Sequence, residues 1–350
     1  MLESLLNILR CPVTNSRLEL TVISKSMKEL DGVEVEVIEN GILFAEKDWF
    51  YPVINGIPRL ALESVIDYED FLQKHLPDFI VLKENLLNKY NSLLQNVLKK
   101  NKRTKESFTQ EWAIFDPQKD KTWNADEAEM LQRFFIETDE TKESLQHKII
   151  FDAGCGNGLL NSLLAKNGIT NIAMDFSASI ENAYIKNTSS KVHFIQGDVQ
   201  YPPLMKNYFD IVHSSGVLIH TTDTHFSFSC IAPLVKSGGK ISVWLYHHRK
   251  NLIHNLFNSI RKRTSRLPLR LQYHLYKYTI FPVSYVIKKI KGTKQNRREM
   301  MVDILDWFTP EYRWEHSHEE VEEWFSKEDF ENIKITTDGV FGFNTIGTKK

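Results

Sequence analysis

Apolar and polar residues change their spacing along the chain, and each spacing predicts a different kind of element. Up to about residue 62 the apolar residues alternate with polar ones or form the short runs LELTVIS, VEVEVIE and GILFAE, which predict β-strands. The pairs Asp31-Gly32 and Asn40-Gly41 lie between these runs and predict tight turns. We therefore expect a small β-rich domain over residues 1–62.

Residues 63–147 have helical spacing instead. Apolar residues recur every three or four positions, namely at Phe79, Leu82, Leu86, Leu87, Tyr90, Leu94 and Leu98. The run KKNKRTK that follows predicts a solvated basic linker. Asn124 and Glu127 then have the spacing of a capping box ahead of a second helix that begins before Met130. This segment is predicted to be a helical connector.

From residue 148 onwards, strand-like and helix-like runs alternate. KIIFDA, NIAMDF, VHFIQGD, FDIVHSS and GKISVWLY predict strands, and LLNSLLAKNG predicts a helix that ends at Gly168. Such alternation is typical of an α/β fold, in which helices connect the strands of a parallel sheet. The last run, FENIKITTDGVFGFNTIGTK, has two alternating halves around Asp338-Gly339 and predicts a terminal antiparallel hairpin.

Composition places the chain among ordinary globular proteins. Of its 350 residues, 42% are hydrophobic and 25% charged, and the net charge of -1 predicts no global attraction to nucleic acid or membranes. The cysteines Cys11, Cys155 and Cys230 are far apart, which excludes a C-x-x-C site and a disulfide framework. Glu3 stands where a signal peptide would be basic, and no run approaches about 18 apolar residues. We therefore expect a cytoplasmic protein.

The segment DAGCGNG joins a predicted strand to a predicted helix. Glycines there let backbone N–H groups approach a ligand closely, and the charge of Asp152 ahead of them would repel a pyrophosphate but attract an ammonium or sulfonium group. Asp175 ends the next strand, where an acid can accept hydrogen bonds from ribose hydroxyls. Asp198 ends the third strand and could accept one from the amine of adenine. S-adenosylmethionine combines these three groups.

This part of the chain resembles the class I S-adenosylmethionine-dependent methyltransferases of type 11/12, over about residues 149–248 and 301–348. DAGCGNG, Asp175, GDV, FDIVHSSGVLIHTTD and LVKSGGKISVWLY follow one another in the family's order. The resemblance implies a Rossmann-like seven-stranded sheet over residues 148–350, interrupted by an insertion at 249–300. The cofactor-binding residues it indicates are Asp152, Gly154, Gly156, Gly158, Asp175, Asp198, Val199 and Ser215.

The N-terminal domain resembles the Trm112 family of small domains. The resemblance rests on Cys11-Pro12 near the start and on Tyr51-Pro52 and NGIP near the end. Members of that family often bind zinc through four cysteines, whereas this domain offers only Cys11, so we predict no metal. The domain is then a structural or partner-docking unit.

Methyl transfer from a sulfonium requires in-line positioning, and a base is needed only when the acceptor is a hydroxyl or a protonated amine. His220 follows the fourth strand, where ligands of parallel sheets bind, and the resemblance places it near the transferred methyl group. Two interpretations stay open for it: a base or acceptor-orienting residue, and a structural histidine. Tyr312 and His316 precede a helix capped by Ser317 with Glu320, and either completes the acceptor pocket or packs a loop.

Cys155 has no basic neighbour in its motif, and the resemblance makes it a spacer between glycines, so we do not expect a nucleophile. Phe108, Trp112 and Trp123 precede the Rossmann-like part. Methyltransferases often lay such an N-terminal segment over the cofactor, which would allow cation–π contact with the sulfonium. Core packing is the alternative.

The insertion is strongly basic. Residues 251–300 carry a single acid, Glu299, against twelve basic residues: Arg261, Lys262, Arg263, Arg266, Arg270, Lys277, Lys288, Lys289, Lys291, Lys294, Arg297 and Arg298. Leu271, Leu275, Tyr278 and Val286 are predicted to share one helical face. Such a helical cap either meets a membrane surface or an acidic ligand, or is a solvated face packed on the domain.

Together these patterns predict a methyltransferase that uses S-adenosylmethionine. The long, aromatic and basic insertion favours a small-molecule acceptor, lipid-like or anionic. Methylation of tRNA or protein is the second hypothesis, suggested by the Trm112 likeness and the basic insertion. A non-catalytic binding protein that retains the fold is the third.

Overall fold

The structure is a computed structural model that describes residues 1–46, 48–114, 125–248, 252–293 and 295–350. Its N-terminal part is a four-stranded antiparallel sheet preceded by a short 3-10 helix, Glu3–Asn7. The strands of this sheet, in spatial and chain order, are β1 (Glu19–Leu30), β2 (Val33–Phe44), β3 (Phe50–Ile54) and β4 (Ile57–Pro58).

One of the two turns predicted in this sheet forms and the other does not. Asp31-Gly32 connects β1 to β2, as predicted. Asn40-Gly41 lies inside β2, and the predicted turn there is wrong. A Cβ atom on Gly41 would lie 2.9 Å from the carbonyl oxygen of Thr21 on β1. The glycine therefore lets two paired strands approach, close to the point where their register shifts.

The segment before the second sheet is helical. Its helices are α1 (Ser64–Asp67), α2 (Glu69–His75), α3 (Phe79–Ile114) and α4 (Glu127–Thr138). KKNKRTK lies within α3, so the predicted linker is wrong. Its cations face acids, since Lys105 contacts Asp67 and Lys100 lies 3.6 Å from Asp198. These partners account for a helix where charge alone predicted a solvated segment.

Helix α4 begins with a capping box two residues later than predicted. The side chain of Asp126 accepts a hydrogen bond from the backbone N–H of Glu129, and the side chain of Glu129 accepts one from the backbone of Asp126. Asn124, predicted as the cap, lies outside the described residues.

The second sheet has seven strands, in the spatial order β10-β11-β9-β8-β5-β6-β7. The five strands from β9 to β7 pair in parallel and β10 runs in the same direction, while β11 runs antiparallel to both of its neighbours. This confirms the predicted α/β sheet and terminal hairpin. The strands are β5 (Ile149–Ala153), β6 (Thr170–Asp175), β7 (Val192–Gln196), β8 (Phe209–Ser215), β9 (Val235–Tyr246), β10 (Phe330–Asp338) and β11 (Gly342–Lys349).

Short helices cover this sheet. They are α5 (Leu159–Lys166), α6 (Ser179–Lys186), α7 (Thr224–Ile231) and α12 (His318–Lys327). Gly168 follows the end of α5 with φ +80, and Ser317 caps α12 by accepting from the N–H of Glu320, both as predicted.

The N-terminal sheet continues onto the free edge of β7. Arg59 pairs with Gln196 as a parallel bridge, and the N–H of Leu60 donates to the carbonyl of Gln196 at 2.8 Å. The buried guanidinium of Arg59 also contacts the Gln196 side chain at 3.2 Å and the Glu181 carboxylate at 3.0 Å. One apolar cluster spans both sheets, so the two units share a core.

The basic insertion is a bundle of helices. They are α8 (Leu252–Thr264), α9 (Leu269–Tyr278), α10 (Ile280–Ile290) and α11 (Arg297–Phe308). Helix α9 ends at Tyr278 and α10 begins at Ile280. The single face predicted for Leu271, Leu275, Tyr278 and Val286 is therefore wrong, because Val286 lies on the next helix. In the part of the chain that the structure describes, every helix is too short or too polar to cross a lipid bilayer.

Candidate active site

A cavity of about 1710 Å³ lies at the carboxyl ends of β5, β6, β7 and β8. Pockets for a single small ligand are typically about 300–1,000 Å³, so this cavity has room for two. Its first end is formed by the loop after β5 together with α3, and its second end by the helices of the insertion. Ligands of open parallel sheets bind at this edge.

The loop after β5 depends on glycine. Gly154, Gly156 and Gly158 have φ of +99, +56 and +70, a backbone region that residues with a Cβ atom rarely adopt. A Cβ on Gly154 would lie 2.2 Å from the Val217 side chain, and one on Gly158 would lie 2.6 Å from Ala183. Gly154 and Gly156 line the cavity, whereas Gly158 precedes α5 and packs against α6.

The residues predicted to bind a cofactor come together here, apart from Gly158. Those that line the cavity are Asp152, Gly154, Gly156, Asp175, Asp198, Val199 and Ser215. They come from four strand ends that are separated by up to 63 positions in sequence but adjacent in the sheet.

Asp175 forms hydrogen bonds with the glycine loop and with Ser177. Its carboxylate accepts from the N–H of Gly156 at 2.8 Å, and from the N–H and hydroxyl of Ser177 at 2.8 and 2.6 Å. A carboxylate has about four acceptor positions, which leaves one for a ligand hydroxyl. Burial raises the pKa of Asp175, opposed by these hydrogen bonds.

Asp198 is contacted by α3. Its carboxylate accepts from the Asn101 side-chain amide at 3.1 Å and from the N–H of Gln200 at 2.9 Å, with the Lys100 ammonium 3.6 Å away. Lys100 and Asn101 both line the cavity. They were missed from the sequence because they lie in KKNKRTK, whose charge indicated a solvated segment.

Asp152 is held by a buried charge network. Its carboxylate lies 3.1 Å from Nδ1 of His213, whose Nε2 lies 3.0 Å from the Glu137 carboxylate, and Glu137 in turn accepts from Arg133 at 2.7 Å. Burial lowers the pKa of His213, but its hydrogen bonds to Asp152 and Glu137 outweigh burial and raise that pKa to about 9. His213 is therefore a cation at neutral pH.

Neither His213 nor Glu137 was predicted. Asp152 on β5 and His213 on β8 are aligned across the parallel pair, so their contact follows from strand order. The sequence signal that could have indicated this contact is a histidine within the apolar strand run FDIVHSS, where a polar side chain needs a partner.

The methyltransferase domain family matches this part of the chain. Residues 151–243 match its model. The segment begins in β5 and ends in β9, and thus contains the glycine loop, Asp175, Asp198 and His220.

The curated relatives that the chain matches are distant. A ubiquinone biosynthesis O-methyltransferase of Coxiella burnetii is 26% identical over 158 residues, which are 44% of this chain and 58% of that protein. An uncharacterized methyltransferase of Mycobacterium tuberculosis is 30% identical over 95 residues, 27% of this chain and 48% of that protein. The chain thus spans about half the length of the curated relatives it matches.

Two solved structures are similar to parts of the chain. Magnesium protoporphyrin IX methyltransferase from Synechocystis with bound SAM has a TM-score of 0.43 and 14% identity, covering 72% of this chain and 97% of that one. A complex of the Haloferax volcanii Trm112 methyltransferase activator with a methyltransferase has a TM-score of 0.38 and 15% identity, covering 65% and 95%.

At the second end of the cavity lies His220, just beyond β8. Its Nδ1 is 2.9 Å from the carbonyl oxygen of Tyr312, which can only accept, so Nδ1 carries the proton and Nε2 has the free lone pair. Nε2 is buried, without a hydrogen-bond partner among the described residues, and His220 lines the cavity. Burial lowers the pKa of His220 to about 3, so the ring is neutral.

Asp306 on α11 faces the same point. Its Oδ1 lies 4.0 Å from Nε2 of His220, and its Oδ2 accepts from the Tyr246 hydroxyl at 3.2 Å. Burial raises the pKa of Asp306 to about 7, although Tyr246 and Arg313 oppose that rise. A base is most effective when its pKa lies near the working pH, so Asp306 suits that role better than His220. No role was predicted for this acid, which stands among apolar neighbours in the sequence.

The other candidates differ in position. Tyr312 lines the cavity, whereas His316 is held between Glu320 and Thr224 outside it, which matches loop packing. Phe108 lines the cavity and meets His220 edge-on at 5.4 Å between ring centroids. The side chain of Trp112 and the whole of Trp123 lie outside the described residues.

Cys155 lines the cavity, but its surroundings do not activate it. Shielding from water and the nearby carboxylates Asp175 and Asp152 raise the pKa of its thiol well above the ordinary value. The thiol stays protonated, and a protonated thiol is a weak nucleophile.

Three potential metal ligands lie together in the described part of the chain: His247, His318 and Asp338, with ligand atoms within 4.8 Å of one another. His247 Nε2 is 2.7 Å from Asp338, so a hydrogen bond already explains their proximity. The group does not line the cavity. Cys11, in the N-terminal domain, is buried 3.5 Å from the Tyr51 hydroxyl.

Proposed function

We propose that this chain is a cytoplasmic S-adenosylmethionine-dependent methyltransferase whose acceptor is a small, lipid-like molecule with a hydroxyl group. One observation carries the proposal: a single cavity joins the glycine loop and its acids to the Asp306–His220 pair and then to the apolar insertion. The cavity thus offers a donor end, a place for proton removal and an acceptor end in sequence.

The first end suits the cofactor. Asp152 presents a carboxylate beside Gly154 and Gly156, where no side chain obstructs an amino-acid group. Asp175 keeps an acceptor position for a ribose hydroxyl, and Asp198 lies beyond it toward α3, on the side assigned to adenine. S-adenosylmethionine supplies a methyl group that is already activated by the sulfonium, so the residues of the chain need only orient and deprotonate the acceptor.

The second end suits a hydroxyl acceptor. His220 Nε2 and Asp306 Oδ1 lie 4.0 Å apart, so an oxygen placed between them is close to both. Both atoms are hydrogen-bond acceptors, and a hydroxyl has one proton to donate. In our proposal the acceptor O–H donates that proton to ionised Asp306, which removes it as the oxygen attacks the methyl group, while the His220 ring packs against the acceptor. His220 is then a positioning residue, not the base we considered from the sequence.

Apolar side chains favour a lipid-like acceptor. Beyond Asp306 the cavity wall is built mainly of Phe257, Ile260, Leu275, Ile280, Val283 and Ile287. Lys291 lies at the same end and suits an anionic group, whereas Lys288 is paired with the Asp303 carboxylate at 2.5 Å. The name of the Coxiella relative, a ubiquinone biosynthesis O-methyltransferase, is compatible with methylation of a hydroxyl on a largely apolar molecule.

The N-terminal domain is, in this proposal, a Trm112-like unit that works without zinc and stabilises the catalytic part. Its contacts at Arg59 and Leu60 support a structural role, because they cover the edge of β7. Methylation of tRNA or protein is the second candidate, supported by the basic insertion. A non-catalytic binding protein is disfavoured by the intact cavity acids.

Methyl incorporation tests the proposal. The purified chain, methyl-labelled S-adenosylmethionine and an extract of cells lacking the gene are incubated, then separated into chloroform-soluble, tRNA and protein fractions. We expect label in a chloroform-soluble small molecule, and roughly a hundredfold slower labelling with Asp306→Asn. Label confined to tRNA or protein would support the second candidate, and no label in any fraction would contradict a transferase.

A further inference from the structure

Helix α10 is apolar yet has no buried residue. Its sequence is IFPVSYVIKKI, and four of its five branched aliphatic residues are strongly exposed. The exposed fractions are 61% at Val283, 56% at Val286, 49% at Ile287 and 81% at Ile290. Their spacing of three, four and seven residues puts them on one face of the helix. We call these four residues the α10 stripe.

Two other helices of the insertion also carry exposed apolar residues. Leu271 and Tyr278 on α9 and Leu256 and Phe257 on α8 are also exposed. Single exposed apolar residues are ordinary on protein surfaces, but a contiguous group on one element marks a binding surface. The remaining apolar residues of the insertion pack inward around Tyr276.

The basic residues around this apolar surface indicate what it binds. Residues 251–300 have twelve basic residues and one acid, in a chain whose net charge is -1. Lys277 lies in the last turn of α9 and Lys289 in the last turn of α10, where the neighbouring Lys288 is paired with Asp303. A helix with an apolar face and basic flanks lies in the interface of an anionic membrane. Branched aliphatic side chains offer a nucleic acid neither stacking nor hydrogen bonds, so RNA fits less well.

We infer that the α10 stripe docks this protein on the surface of an anionic lipid bilayer. The helix has 11 residues, far fewer than the roughly 20 that a membrane span needs, so it lies in the interface and does not cross. Val283 and Ile287 belong both to the stripe and to the cavity wall. Docking there would place the acceptor end of the cavity against the bilayer, a consequence that rests on the proposed function.

Vesicle sedimentation tests the docking. The full chain is mixed with vesicles of equal parts phosphatidylglycerol and phosphatidylcholine, and the bound fraction is measured. We expect the wild type to bind and Val286→Glu/Ile290→Glu to bind at least roughly tenfold more weakly, because two apolar contacts become anionic. Neither residue lines the cavity, and both are exposed, so folding should be preserved. The matched control is Ile185→Glu, at an equally exposed site on α6.

Charge is tested separately. Pure phosphatidylcholine vesicles should bind the wild type less, and Lys277→Glu/Lys289→Glu should reduce binding to anionic vesicles, whereas Lys186→Glu on α6 should not. Equal binding by the stripe variant and the Ile185→Glu control would overturn the inference. So would salt-sensitive binding to tRNA with no binding to vesicles. Calorimetric titration of the stripe variant with S-adenosylmethionine separates the two proposals, because its affinity should equal that of the wild type.

Discussion

Burial raises the pKa of the Asp306 carboxyl from 3.8 to about 7, which affects both the stability of the fold and the reactivity of the residue. A carboxyl whose pKa is raised by folding destabilises the folded state as pH rises through that range, by up to ~4 kcal/mol. The same shift makes the carboxylate a stronger base near neutral pH. The residue therefore links proton removal to a local cost in stability.

Asp306→Asn should lower turnover by roughly 10²-fold or more, since a positioned base contributes about that factor. Wild-type turnover should rise with pH through about 7 as the carboxyl ionises, and the variant should lack that rise. Rates of methyl transfer across pH 5 to 9 measure both. The variant should also resist urea better than the wild type at high pH. A pH profile that is unchanged in the variant would exclude Asp306 as the base.

His213 predicts a different pH dependence. Its folded pKa of about 9 exceeds the ordinary 6.5, so its stabilisation is complete below pH 6.5 and is lost as pH rises through 9. The wild-type free energy of unfolding should fall by up to ~3 kcal/mol over that range. Urea unfolding of His213→Asn should lack this fall. Parallel pH curves for the two proteins would show that the network with Asp152 and Glu137 does not hold the proton.

At the scale of elements, the loop after β5 shows how backbone geometry selects residues. Gly154 and Gly238 both have positive φ, of +99 and +75, but their surroundings differ. A Cβ on Gly154 would clash with Val217, whereas one on Gly238 would meet nothing within 4 Å. A substitution at Gly238 therefore introduces backbone strain alone, whereas one at Gly154 adds a steric clash beside the cavity.

Gly154→Ala should weaken binding of S-adenosylmethionine at least roughly tenfold, or 1.4 kcal/mol, because the loop must shift. Gly238→Ala should cost only about 1–2 kcal/mol of stability through its left-handed backbone and leave the affinity unchanged. Calorimetry and thermal unfolding of both variants provide the comparison. Equal affinities in the two variants would mean that the loop does not shape the cofactor end.

The elements that the sequence predicted well are those with strong local patterns. The apolar strand runs predicted the parallel sheet and the terminal hairpin, and the loop DAGCGNG with the strand ends after it predicted the positions of the acids. The errors came where a distant partner overrides a local signal. Asn40-Gly41 has turn chemistry but pairs with β1, and KKNKRTK has linker charge but meets Asp67 and Asp198.

The candidate site was predictable only in its donor end. Motif order places Asp152, Asp175 and Asp198 at neighbouring strand ends. Asp306 and Glu137 come from helices whose docking on the sheet follows from packing, and a single sequence does not encode that contact locally. Such residues emerge only when the chain is folded.

The whole molecule joins two sheets through the edge of β7. A free edge strand invites pairing with other chains, and here Arg59 and Leu60 cover it. The N-terminal sheet also shares its apolar cluster with the main sheet. The two parts are therefore expected to fold as one unit.

Removing residues 1–62 should leave a chain that aggregates, because the truncation exposes both the β7 edge and the apolar residues packed beside it. Size-exclusion chromatography of the 63–350 fragment, beside the full chain at equal concentration, measures this. A monomeric fragment with wild-type thermal stability would contradict a shared core.

Calorimetric titration with S-adenosylmethionine tests the central claim most directly. Asp152→Asn keeps the shape and hydrogen-bonding of the side chain but removes its charge, and Asp329→Asn makes the same change at an exposed turn outside the cavity. We predict one cofactor bound per wild-type chain, an unchanged affinity in Asp329→Asn, and an affinity at least roughly a hundredfold weaker in Asp152→Asn. No heat of binding in the wild type, or equal affinity in all three proteins, would contradict the account.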